Sequence, residues 1–163
     1  MTNIDSAPIL SRSSLAGYAD DVRRRSLRLI LANGCFDLLH AGHIRYLAGA
    51  KALGGELIVG INSDKQVSSL KGDGRPVISE NERAEIVSAI RFVDAVTIFD
   101  EPTVEEMIQI LRPDFHAKGT DYTTETVPER EIVRAYGGQV AIVGDPKDHS
   151  STELLRSVRG RTA

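Results

Sequence analysis

The chain has 163 residues, enough for one domain with a full core, and its 41% hydrophobic and 26% charged residues lie close to the globular average. Twenty basic against 23 acidic side chains give a net charge of −3, and the absence of Trp with only 5% aromatic residues argues against a dedicated nucleic-acid binder. A lone cysteine, Cys35, excludes an internal disulfide and fits a cytoplasmic setting; no apolar run nears the ~18 residues of a membrane span, and MTNIDSAPIL lacks the pattern of a signal peptide.

Residues 1–12 are polar and Ser-rich, which predicts a loosely held start. A weak helical pattern through Leu15, Tyr18, Ala19 and Val22 covers Ser13–Arg25, its last arginines suiting the negative end of a helix dipole. Leu27–Ala32 is the first short β-branched or apolar run, read as a strand buried on both faces. A helix is expected over His43–Leu53, a strand over Glu56–Ile61, a helix over Glu80–Arg91 and a strand over Ala95–Phe99. Val104, Met107, Ile108 and Leu111 mark a helix over Thr103–Leu111, opened by the capping-box pattern Thr103…Glu106. A weaker strand, Asp114–Ala117, follows. The pattern Thr126…Glu129 predicts a helix ending at Gly137-Gly138; then come a strand, Gln139–Val143, and a last helix opened by Ser150…Glu153. This alternation predicts an α/β fold: a single domain with a five-stranded parallel sheet, helices on both faces and a short N-terminal helical extension. The division expected is a tail and helix over 1–26 and the main domain over 27–163.

Ligands of such sheets bind beyond the carboxyl ends of the strands. The glycine-rich phosphate loops are missing after the first strand. Instead Asn33-Gly-Cys-Phe-Asp-Leu-Leu-His-Ala-Gly-His43 places two histidines three apart where a helix begins, on one face, with Gly42 leaving room for a ligand. Two imidazoles at a helix N-terminus suit a phosphate chain. On spacing alone, two other readings stay open: half of a metal site with Cys35 or Asp37, or plain surface residues.

Gly34, Phe36, Asp37, His40, Gly42 and His43 resemble the Gly-x-Phe-Asp and His-x-Gly-His signature of nucleotidyltransferases of the cytidylyltransferase-like superfamily, with its Rossmann-like domain. Leu70-Lys-Gly-Asp-Gly-Arg-Pro76, Asn81-Glu-Arg83, Ala117-Lys-Gly-Thr-Asp-Tyr122 and Ser150-Ser-Thr152 fall in that family's order, so the resemblance runs from Leu27 to Val158 and is strongest to its bacterial sugar-phosphate branch. It implies attack of a sugar-phosphate oxygen on the α-phosphorus of ATP, releasing pyrophosphate. The acceptor implied is D-glycero-β-D-manno-heptose 1-phosphate, giving ADP-heptose for lipopolysaccharide. Transfer of CMP to glycerol 3-phosphate is the alternative; a nucleotide-binding regulator and a metal hydrolase are the rivals of another class.

The resemblance also implies roles. His40, His43 and Lys71 are the catalytic candidates, Lys71 from a Gly-flanked mobile segment that closes over phosphates. Asn33, Gly34, Cys35, Phe36, Asp37, Gly42, Arg83, Lys118, Gly119, Asp121, Ser150, Ser151 and Thr152 are expected around the nucleotide, with Cys35 read as packing rather than reactive. Asn62, Asp64 and Arg75 are expected around the sugar phosphate. Mg²⁺ is implied as a passenger on ATP, with no protein metal ligands. A homodimer is expected, and neither nucleic acid nor membrane as partner. Two departures stand out: the Arg-Thr pair of cytidylyltransferases is replaced by Asp145-Pro-Lys-Asp-His149, and 163 residues leave no room for the sugar kinase often fused to heptose enzymes, so a stand-alone transferase is expected.

Overall fold

Six parallel strands build one sheet in a computed structural model that describes residues 6–146 and Ser157. In chain order they are β1 (Ile9–Leu10), β2 (Leu29–Gly34), β3 (Glu56–Asn62), β4 (Ala95–Phe99), β5 (Phe115–Lys118) and β6 (Gln139–Ile142), arranged β1-β4-β3-β2-β5-β6. The helices are α1 (Leu15–Arg24), α2 (Ala41–Lys51), α3 (Asp64–Lys71), α4 (Glu80–Ser88), α5 (Glu105–Leu111) and α6 (Arg130–Ala135). Among the described residues, no helix is long and apolar enough to cross a membrane.

The expected sheet of five strands is corrected to six. β1 pairs Ile9 with Val96 and Leu10 with Thr97, a ladder too short to leave a period in the sequence. Residues 7–12 are correspondingly tied down. Ala7 N donates to Ser88 O (2.8 Å), Val96 N to Pro8 O (2.9 Å) and Thr97 Oγ1 to Leu10 O (3.0 Å), while Arg12 pairs with Glu101 and Glu106. The Arg12 pair with Glu106 also displaces the expected capping box: α5 starts at Glu105, and Thr103 Oγ1 accepts only a long bond from Glu105 N (3.5 Å). Likewise α6 starts at Arg130, because Thr126 Oγ1 accepts from Thr123 N (2.9 Å) and Glu129 is drawn to Lys118.

Strand alternation splits the core into two layers. Leu29, Leu31 and Ile58 face α1 (Leu15, Ala19, Val22) and α5 (Met107, Ile108, Leu111), with Val133 of α6. Ile30, Ala32, Leu57, Val59 and Ile61 face α2 (Leu47, Ala50) and α4 (Ala84, Val87). Each fully buried Leu, Ile or Val contributes about 1.5–3 kcal/mol, so both helical layers are driven onto the sheet by the same strands. α1 therefore belongs to the core of the sheet. α3 was not expected: its buried side carries only Gln66 and Val67. The signal that marks it is Ser63-x-x-Gln66, whose Ser63 Oγ accepts from Gln66 N (3.2 Å), although the Gln66 amide turns away to donate to Asp100 O (2.7 Å).

Candidate active site

The strand order reverses between β2 and β5, and the side chains beyond their carboxyl ends line a cavity of about 770 Å³. Its floor is the turn from β2 into α2. Phe36 takes a left-handed φ of 48° there, a conformation that costs a non-glycine residue about 1–2 kcal/mol. Burial of its ring to 3% exposure, 5.3 Å from the His43 ring, offsets that cost.

Both histidines are built into the helix cap. His40 is the N-cap: its Nδ1 accepts from Gly42 N (3.1 Å), and His43 Nδ1 accepts from His40 N (3.3 Å), so the two side chains make a reciprocal capping box. Because each Nδ1 is an acceptor, the hydrogen-bonding pattern assigns the proton of each neutral ring to Nε2. The rings lie 4.0 Å apart and line the cavity as two N–H donors at the positive end of α2. Gly42 lines the cavity and also makes room for the imidazole, since a Cβ there would lie 2.9 Å from Cε1 and Nδ1 of His40.

Four of the expected ligand-binding side chains do not reach the cavity. Asp37, 1% exposed, accepts from Val77 N (2.7 Å), Ile78 N (3.2 Å) and the Arg75 guanidinium. Burial alone would raise its pKa; the two backbone donors and Arg75 outweigh it and hold the carboxyl below the usual range. Arg75 is thereby committed to Asp37. Arg83, 1% exposed, donates to Ile78 O (3.0 Å), to Cys35 O and to Asp64 Oδ1 (2.7 Å). It clamps the β2–α2 turn, the start of α3 and the approach to α4, and Asp64 is its counter-ion. Asp37, Asp64, Arg75 and Arg83 form the frame under the site. The metal reading finds no support in this arrangement: among the described residues, no three His, Cys, Asp or Glu side chains converge to hold an ion.

The remaining candidates come together. Asn33, Gly34, Cys35, Asn62, Lys71, Lys118, Gly119 and Asp121 line the cavity with the histidines. Cys35 Sγ–H points to Asn62 Oδ1 (3.9 Å), and burial pushes the thiol pKa up, which suits packing and not nucleophilic attack. Lys71 is exposed at the last position of α3, beside Gly72 at φ 85°, so it is carried by a helix end and not by the mobile loop expected. Asn33 Oδ1 is held from two sides, by His116 Nε2 (3.1 Å) and Lys118 Nζ (3.2 Å). His116 is fully buried, and burial together with Lys118 pushes its pKa down to about 3, so it is neutral and donates to Asn33. Ser150, Ser151 and Thr152 lie outside the described residues.

Sequence reasoning missed the wall beyond β4 (Phe99, Pro102, Thr103, Val104), Arg45 and Tyr46 of α2, Glu129, and the segment Val143–Pro146 after β6. Position beyond a strand end was the available signal for most of them. Tyr46 Oη donates to Ala117 O (2.8 Å), tying α2 to β5 across the switch point.

Comparison with known proteins adds three findings. The bifunctional protein HldE of Syntrophotalea carbinolica is 45% identical over 150 residues, 92% of this chain and 31% of that protein. HldE of Pelobacter propionicus is 46% identical over 153 residues, 94% of this chain and 31% of that protein. The chain thus spans about a third of the length of these curated relatives. The crystal structure of the lipopolysaccharide core biosynthesis protein from Thermoplasma volcanium GSS1 aligns with a TM-score of 0.61 and 28% identity, covering 74% of this chain and 99% of that one. The pattern of the cytidylyltransferase-like family matches residues 31–157, a span that encloses the whole cavity wall from Asn33 to Pro146. The chain belongs to the cytidylyltransferase-like family.

Proposed function

We propose that this chain transfers AMP from ATP to a sugar 1-phosphate, D-glycero-β-D-manno-heptose 1-phosphate, giving ADP-heptose and pyrophosphate. The observation that carries the reaction type is the locked pair of imidazole donors at the N-terminus of α2, on the floor of a cavity at the switch point. The sugar rests on the likeness of Leu70–Pro76 and Ala117–Tyr122 to the heptose branch, and on the similarity to HldE proteins and to a lipopolysaccharide core biosynthesis protein.

In this reading a phosphate oxygen of the sugar forms a bond to the α-phosphorus while the bond from that phosphorus to the bridging oxygen of pyrophosphate breaks. The attacking phosphate is already ionised at neutral pH, so the enzyme supplies position and charge stabilisation, not a base or a covalent nucleophile. The Nε2–H groups of His40 and His43 meet the negative charge that grows on the phosphoryl oxygens, and the capping bonds on Nδ1 keep both rings aimed. Lys71 adds a cation from the end of α3. Mg²⁺ carried on the triphosphate, held by phosphate and water, would supply charge neutralisation at the leaving group.

The test is pyrophosphate release with ATP, CTP, GTP and UTP, each paired with the heptose 1-phosphate or glycerol 3-phosphate. ATP with the heptose is expected to lead by more than about tenfold. A lead for CTP with glycerol 3-phosphate replaces the substrate assignment and keeps the role of the histidines.

A further inference from the structure

On the β5 side of the cavity, two side chains of opposite charge stand where the chemistry above has no use for them. Lys118 and Glu129 are each 7% exposed, and Lys118 Nζ lies 3.4 Å from Glu129 Oε2. That oxygen finds no hydrogen-bond donor among the described residues, so the contact is an ion pair without hydrogen-bond geometry. One ammonium proton goes to Asn33 Oδ1 (3.2 Å), one faces Glu129, and a third remains to donate. The ammonium also sits 5.3 Å above the ring of Tyr122, which with Pro128 gives this wall flat apolar surface.

A buried ion pair is a poor stability device, since desolvation cancels most of its attraction. Its summed charge is zero, so it does not draw in a triphosphate either. It does present a donor and an acceptor side by side next to flat apolar surface. The adenine edge has the complementary pair, an acceptor at N1 beside a donor at the 6-amino group. We propose that Lys118 and Glu129 together read that edge, Lys118 donating to N1 and the Glu129 carboxylate accepting from the 6-amino group, so that Glu129 is a specificity-determining residue for the base. Asn33 and the buried His116 beneath it are positioning residues that hold the Lys118 ammonium at the wall.

This inference rests on the nucleotidyl-transfer reading, and its test separates the two. Calorimetric binding of ATP, purine riboside triphosphate (no 6-amino group) and inosine triphosphate (carbonyl at position 6) to the full chain needs no acceptor sugar and no turnover. The wild-type protein is expected to bind ATP at least about tenfold more tightly than either analogue, because a buried acceptor left unpaired penalises the analogue. In Glu129→Gln, whose amide can offer a donor instead, ATP affinity is expected to fall about tenfold while that of inosine triphosphate stays within about threefold. Pyrophosphate assays are expected to show the change in KM for ATP, with KM for the acceptor unchanged. Equal wild-type affinity for ATP and purine riboside triphosphate overturns the proposal without any variant. So does a parallel loss for all three nucleotides in Glu129→Gln, or a selective dependence on the ribose hydroxyls seen with 2′-deoxy-ATP. Any of these leaves the transferase reading standing; failure of every nucleotide to bind sinks both.

Discussion

The turn after β2 and the frame beneath it carry the same kind of sequence signal, yet they do opposite jobs. The sequence marks His40, His43 and Arg83 as candidates for the nucleotide and Arg75 as a candidate for the sugar phosphate. The histidines are half-buried, cap α2 through Nδ1 and line the cavity. Arg83 is buried and its three nitrogens donate to Asp64, Cys35 O and Ile78 O, while Arg75 Nε donates to Asp37 and its Nη2 stays buried with no hydrogen-bond partner among the described residues. A cation near a phosphate site is a ligand only if donors are left over after the fold has used what it needs. For the two imidazoles, the cap takes Nδ1 while the rings still line the cavity. For Arg83, the frame takes all three nitrogens.

Stability measurements on the frame break the comparison most sharply. Arg83→Met strips a buried guanidinium from two carbonyls and from the half-exposed Asp64 carboxylate, and is expected to cost about 1–3 kcal/mol in denaturant unfolding for each carbonyl left without a donor. Nucleotide affinity of the folded fraction should stay within about twofold of wild type, as expected for a residue that touches no ligand. Intact stability with weak nucleotide binding would return Arg83 to the ligand.

The histidine variants are expected to do the reverse. His40→Ala and His43→Ala should each lower kcat by about 10²–10³, the cost of removing one transition-state donor. Unfolding should change by only ~1 kcal/mol, the worth of a lost cap. Turnover unchanged in both variants would remove the mechanism.

Acid sharpens the contrast between buried groups. His116 titrates at about 3 in the folded protein against an ordinary 6.5, because burial, and then Lys118, disfavour its charged form. The unfolded chain therefore binds the extra proton first, and stability falls as pH drops from about 6.5 towards about 3, by up to about 1.4 kcal/mol per pH unit. Asp37 has its pKa lowered, so its contribution is fully present above the ordinary carboxylate value and is lost only as acid passes below 3.8. His116→Gln is expected to flatten urea midpoints between about pH 6 and 4, whereas Asp37→Asn should lower stability throughout that window. A slope unchanged in His116→Gln would contradict a neutral His116.

The smallest effect is expected at Lys71. Lys71→Ala should cut kcat/KM about tenfold while moving stability by no more than about 0.5 kcal/mol, since the side chain is exposed at a helix end. Protection of residues 68–75 from hydrogen exchange should rise with nucleotide and magnesium; an unchanged pattern would mark Lys71 as a bystander.

The amino-acid sequence by itself determined most of the alternation of strands and helices, because a strand buried on both faces reads as a short unbroken apolar run and a helix buried on one face repeats its apolar residues every three to four positions. The turn Asn33–His43 was legible for the same local reason: a helix cap and its histidines are set within a few residues. The two-residue strand β1 leaves no period, and α3 hides in a polar stretch with a single buried apolar residue, Val67. The hydrogen-bond and ion-pair partners described for Asp37, Arg75, Arg83, Lys118 and Glu129 lie 5 to 85 positions away, and all but Ile78 beside Arg83 lie more than ten away. Only the packing of β2, β5 and the loop before α4 brings those charges together, and that packing decides which become the frame and which remain to meet a ligand.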